Sequence, residues 1–221
     1  MRSLELLGET RAPDGTHLAL TRHDREFIIL AGGRPLMSSR MHGSEQALAT
    51  FGLRRIPRHD AWVLLGGLGM GFTLRATLDG LPSDATVVIA ELIPAVVEWN
   101  RGVLGPLAGH PLDDPRVEVQ VADVGAVIRA SRARFDAILL DVDNGPAAFT
   151  ATGNVALYGD QGLAAARAAL RPGGALAIWS AWEDRRFEQR LRYAGFAVKV
   201  ERVRARLKQG GPRHTIFLGS L

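Results

Sequence analysis

Cysteine is absent from the 221 residues. That excludes disulfides, a thiolate nucleophile and any cysteine metal site, and no metal is expected. Lysine is scarce: only Lys199 and Lys208 occur, so 25 of the 27 basic residues (27 − 2) are arginine. The net charge is +4 and the pI about 10.3. Arginine's high pKa inflates that pI without a large charge excess, so the number does not argue for a nucleic-acid partner. The alternating Arg202, Arg204 and Arg206 read as the solvated face of a strand. No apolar run approaches the roughly 18 residues of a membrane span. Met1-Arg2-Ser3-Leu4-Glu5-Leu6 lacks the apolar core of a signal peptide, so the expectation is a cytoplasmic globule without a membrane partner.

Glycine is plentiful, and its clustering is informative. The apolar run Trp62-Val63-Leu64-Leu65 meets Gly66, Gly67, Gly69 and Gly71, the last three reading GxGxG. A helix-like pattern follows. A second apolar run, Thr86-Val87-Val88-Ile89-Ala90, ends in Glu91, 20 residues past Gly71 (91 − 71). Strand, glycine turn, helix and a strand ending in a carboxylate make a nucleotide-binding half-unit. Glycine permits close backbone approach and positive φ. A carboxylate at that strand end can accept from ribose hydroxyls. The competing reading is a tight strand-to-helix turn without a ligand.

Residues 1–55 form one predicted unit: short strands, a hairpin of His17–Thr21 with Glu26–Ala31, and a helix over Ser44–Phe51 with Ser44 as N-cap. Residues 56–221 form the main domain. Strands are predicted at 61–66, 86–91, 116–121, 136–141 and 174–180, with helices near 71–79, 94–104, 124–131 and 159–171. The nearly all-apolar runs fit a parallel sheet buried on both faces. A helix near 183–194 precedes an antiparallel pair, Phe196–Val203 and His214–Leu218. The fold class is α/β, Rossmann-like and mostly parallel, with a small N-terminal β unit.

In such sheets ligands sit outside the carboxyl ends of the strands. Those ends deliver Glu91, Asp123, Asp141 and Asp143-Asn144. Asp123 suits an exocyclic adenine amine, but capping the helix at Val124 is an equally good role. Asp141 follows Ile138-Leu139-Leu140, where partial burial would raise its pKa. Its bland role is a turn residue. Tyr158 and Trp179 are either pocket walls or core aromatics. His42 and Glu45 either cover the site or, the plainer reading, lie in an exposed polar loop.

At these residues the chain resembles the spermidine synthase family of class I S-adenosylmethionine-dependent transferases. The resemblance spans residues 60–180. It rests on Gly66–Gly71 with Thr73-Leu74-Arg75, Val88–Leu92, Asp113-Asp114-Pro115-Arg116-Val117, Asp123, Phe135–Asp141, Gly145-Pro146 and Leu170–Gly174. It implies a cofactor over Gly66, Gly67, Gly69 and Gly71, with Glu91 on the ribose, Asp123 near adenine, and Leu92, Val124 and Asp141 beside it. It also implies a homodimer. Two departures stand out. Aminopropyltransferases typically carry aspartate where Gly69 stands, and a second aspartate where Asn144 stands. A dicationic diamine needs several carboxylates to offset its desolvation. The loss of two anions therefore predicts a methyltransferase that uses intact S-adenosylmethionine on a small or medium acceptor. Asp141 would be base or amine orienter, and Asp143 and Asn144 would line the acceptor pocket. The alternatives are an aminopropyltransferase using decarboxylated S-adenosylmethionine and releasing methylthioadenosine, or a non-catalytic cofactor-binding scaffold. Nucleic-acid methylation rests only on the basic tail.

Overall fold

The computed structural model describes residues 4–56, 59–142, 156–206 and 211–221. Four short strands open it: β1 (Glu5–Arg11), β2 (His17–His23), β3 (Glu26–Ala31) and β4 (Arg34–Ser38). They pair antiparallel in chain order, as the hairpin signal predicts. The turn between β2 and β3 places Asp24 at φ 55°, a conformation aspartate tolerates.

Helix α1 (Gly43–Gly52) follows. Ser44 is not its N-cap. The helix starts one residue earlier, His42 occupies the cap without a side-chain bond, and the Gly43 N–H donates to Ala205 O at 2.8 Å. A distant backbone carbonyl thus satisfies a helix-start donor, which leaves the Ser44 hydroxyl free for another role.

Strands β5 (Trp62–Gly66), β6 (Thr86–Glu91), β7 (Val117–Val121), β8 (Phe135–Leu140) and β9 (Leu170–Ser180) are parallel. The antiparallel pair β10 (Ala197–Arg204) and β11 (Arg213–Ser220) completes a seven-stranded sheet in the order β10-β11-β9-β8-β5-β6-β7. Strand residues alternate between two cores. Val63, Leu65, Val87, Ile89 and Leu139 pack with α1, α2 (Phe72–Gly80) and α3 (Pro94–Arg101). Leu64, Val88, Ile138 and Leu140 pack on the other face with α4 (Val124–Arg129), α5 (Asp160–Ala169) and α6 (Arg185–Tyr193). The period of two sorts apolar residues to both faces, which is why the strands read as unbroken apolar runs.

From β5 the chain goes to β6 and β7 on one side, then crosses to β8 and β9 on the other. The crevice outside the carboxyl ends of β5 and β8 is therefore the topological switch point. No helix among the described residues is long and apolar enough to cross a membrane.

Candidate active site

The glycine loop occupies that switch point. The Asp141 N–H donates to Gly66 O at 2.9 Å, and the Gly67 N–H donates to Ala90 O at 3.0 Å. The loop is held between the ends of β6 and β8. At Gly67, φ is +84° and a Cβ would come within 2.5 Å of the Asp141 carbonyl oxygen. Only glycine permits both. Gly69 has φ +52°, and a Cβ there would meet the Met37 Cε of β4 at 2.8 Å. Its carbonyl accepts from Asn100 Nδ2 of α3 at 2.8 Å.

Glu91 ends β6 with 7% exposure. Its Oε2 accepts the Leu68 N–H at 2.8 Å and its Oε1 the Ile93 N–H at 2.9 Å. This carboxylate pins the loop. Leu92 beside it is 47% exposed, whereas Val124 is buried in the core. Asp123 accepts from the Ala126 N–H at 2.8 Å and caps α4. Arg129 lies 3.5 Å from the same oxygen. Capping, one of its two readings, is its observed work.

Asp141 lies where β8 leaves the sheet. Thr73 Oγ1, in the first turn of α2, donates to its Oδ2 at 2.6 Å. Burial pushes this carboxyl up to about 6, and the Thr73 bond opposes the rise. Across from it stands Glu45 of α1, 8% exposed. Burial, and then the charge of Asp141, push Glu45 up to about 8. Ser44 Oγ donates to Glu45 Oε2 at 2.8 Å and also contacts His214 Nδ1 of β11 at 2.9 Å. His42 is half-buried with its ring edge-on to Phe72, 4.2 Å between centroids, and burial lowers its pKa.

The exposed-loop reading of His42 and Glu45 is therefore corrected: Glu45 is buried in a helix and His42 half-buried at its start. The burial follows from the docking of α1 on α2 and the sheet, which no local sequence pattern encodes. In the sequence Thr73 figures only in the family resemblance, beside Gly71. Ser44 figures there only as an N-cap and His214 only as a strand residue.

Asp143 and Asn144 lie outside the described residues. Tyr158 is a core aromatic, edge-on to Phe187. Trp179 packs edge-on against His214, 4.6 Å between centroids, beside the α1 cluster. The Asp-Asp-Pro-Arg-Val stretch does structural work. Arg116 forks onto Asp114 at 2.9 and 2.7 Å and donates to the carbonyls of Leu78, Leu81 and Pro82 at the end of α2. Asp114 is held down to about 2, chiefly by its hydrogen bond from Arg116. A separate surface depression of about 410 Å³, lined by Trp62, Arg132, Arg134 and Arg171, lies at the opposite ends of β5 and β8.

Known proteins share this fold. Over 98% of the chain the fold superposes on spermidine synthase from Thermotoga maritima, with a TM-score of 0.76 at 18% identity and 72% of that chain covered. It superposes equally, at 0.76 and 19% identity, on a spermidine synthase in complex with the transition state analogue AdoDATO. Polyamine aminopropyltransferase of Mycobacterium tuberculosis is 33% identical over 119 residues, 52% of this chain and 22% of that protein. The Thermoanaerobacter sp. (strain X514) enzyme of the same name is 37% identical over 79 residues, 36% of this chain and 28% of that protein. The chain thus matches less than a third of the length of these curated relatives.

These relatives overturn the expectation of methyl transfer, which rested on Gly69 and Asn144. The count of anions along the chain left out one carboxyl: α1 brings Glu45 into the field of Asp141, and the space above Gly69 holds the Met37 methyl. A domain profile described as spermine/spermidine synthase matches residues 16–189, and the chain belongs to that family.

Proposed function

We propose that this chain transfers an aminopropyl group from decarboxylated S-adenosylmethionine to a small cationic amine. The observation that carries the reading is the buried pairing of Glu45 with Asp141 beside the glycine loop. Two carboxyls raised by burial are poorly placed without a partner, and an ammonium group is the partner that lowers both. The names of the curated relatives support the same chemistry.

The sulfonium is already activated, so the protein's task is alignment and exclusion of water. The amine nitrogen forms a bond to the propyl carbon attached to sulfur. The carbon–sulfur bond breaks with its electron pair going to sulfur, which leaves neutral methylthioadenosine. An amine that arrives as ammonium loses one proton to the solvent side. In this reading Asp141, oriented by Thr73, faces the attacking nitrogen and Glu45 shares its charge. Glu91 accepts from the ribose hydroxyls, with Gly66, Gly67, Gly69 and Gly71 under the sulfur side and Leu92 and Val124 on the adenine side.

The test is incubation with decarboxylated S-adenosylmethionine and putrescine, with methylthioadenosine and the elongated amine quantified together. Equimolar formation of both is expected. Formation of neither across a panel of di- and polyamines overturns the reading.

A further inference from the structure

Glu45 is tied to the protein surface by two side chains that the proposed reaction has not yet used. Ser44 Oγ donates to Glu45 Oε2 at 2.8 Å and lies 2.9 Å from His214 Nδ1. Ser44 is fully buried, and His214 is half-buried on β11. Two elements hold this line in place. The Gly43 N–H bond to Ala205 O fixes the start of α1 against the chain leaving β10, and β11 pairs with β10 with His214 opposite Val203. Trp179 packs edge-on against the His214 ring and restrains its rotation.

Resting on the aminopropyl-transfer reading, we propose that Glu45, Ser44 and His214 form the path by which the substrate's proton leaves the buried site. The balance requires such a path. A primary ammonium and a sulfonium together carry two positive charges. The product ammonium carries one, the thioether none, and the remaining charge leaves as a proton. With the ammonium and sulfonium bound, the two positive charges draw Glu45 into its charged form, and it accepts that proton from the nitrogen that Asp141 orients. Once protonated, Glu45 becomes the donor to the Ser44 oxygen, the Ser44 hydroxyl turns from Glu45 to His214 Nδ1, and its hydrogen moves to that nitrogen as the Glu45 proton arrives. Burial lowers the pKa of His214, so near neutral pH its ring is a proton acceptor that releases readily to water. A hydroxyl that both donates and accepts is the group this middle position needs.

The charged groups on the elements packed against α1 leave the line undisturbed. Arg75 pairs with Asp79 on α2, Glu201 of β10 with Lys199 and Arg54, and Arg171 of β9 with Asp136. Arg202 pairs with Glu183, while Arg204 and Arg213 are exposed. His42 stands at the start of the helix, and Asp141 is the charge that acts on Glu45.

The test compares kcat and amine KM of the full chain with Ser44→Ala, Ser44→Thr and His214→Gln from pH 6 to pH 10, following methylthioadenosine. For Ser44→Ala we expect kcat at pH 7 to fall about 100-fold with little change in KM, the size of a lost proton-transfer group. The deficit should shrink toward pH 10, near the ~10.4 pKa of a primary ammonium, because an amine that arrives neutral needs no relay. Ser44→Thr should restore most of the rate, and His214→Gln should lose it with the same pH pattern. A deficit uniform across pH, or a Ser44→Ala enzyme with the parent's kcat, overturns the relay while methylthioadenosine formation by the parent leaves the aminopropyl reading standing. A parent protein that forms no methylthioadenosine overturns both.

Discussion

The charge of Asp141, where β8 ends, pushes up the carboxyl of Glu45 on α1. The two residues come from opposite sides of the chain order, one before the sheet begins and one in its middle, yet they share a buried field. Several consequences can be measured.

Glu45 should make stability pH-dependent. Its folded pKa is raised to about 8 from an ordinary 4.5. The folded state therefore holds a proton that the unfolded chain releases between those values, and stability falls as pH rises through that window. Glu45→Gln removes this penalty. The variant should match the parent at pH 4.5 and exceed it by about 2 kcal/mol at pH 9, or about 4–8 °C in Tm for a chain of this size. A Tm difference that is the same at both pH values would count against the buried-proton assignment.

Thr73 holds Asp141 toward its charged form through the 2.6 Å hydrogen bond. Thr73→Val removes that opposition, so the Asp141 pKa should rise further. The acid limb of kcat/KM should move to higher pH, with the alkaline limb in place. Asp141→Asn should cost about 100-fold or more in kcat, the range of a lost acid–base group. Unchanged turnover in Asp141→Asn would remove it from the chemistry.

Restoring the loop aspartate should not improve this protein. Gly69 has φ +52°, and its Cβ direction points at the Met37 Cε, 2.8 Å away. Gly69→Asp should lower stability by about 2 kcal/mol through backbone strain and collision. Adding Met37→Ala should return part of that loss, seen as a favourable coupling in a double-mutant cycle by urea unfolding. Simple additivity would show that Met37 is not the obstacle.

Arg116 should prove structural. It binds Asp114 twice and holds three carbonyls at the end of α2, where a cation also complements the helix dipole. Arg116→Ala should cost about 3 kcal/mol, because several buried acceptors lose their donor. The KM for amine should stay within about twofold, since no substrate contact is lost. Because Asp114 is held down to about 2, its contribution is present above its ordinary 3.8 and disappears as pH falls through that lower value. The Arg116→Ala deficit should therefore narrow in urea titrations near pH 2.

The sequence by itself determined the sheet and its ligand end. Apolar runs such as Val63-Leu64-Leu65 and Ile138-Leu139-Leu140 are strands, because burial on both faces leaves no room for polar alternation. Gly67 and Gly71 marked the strand-to-helix turn because their positive φ angles are local requirements. Glu91 and Asp141 stood at strand ends by register alone. Tertiary structure decided the charge of the site. Glu45 reads in sequence as one exposed polar residue, and it became a buried partner of Asp141 only because α1 docks against α2 and anchors Gly43 to Ala205. Asp123 had two roles open to it, and the geometry of α4 gave it the cap. Counting anions along the chain missed Glu45, because desolvation and charge coupling depend on which carboxyls meet in space, and sequence spacing does not carry that distance.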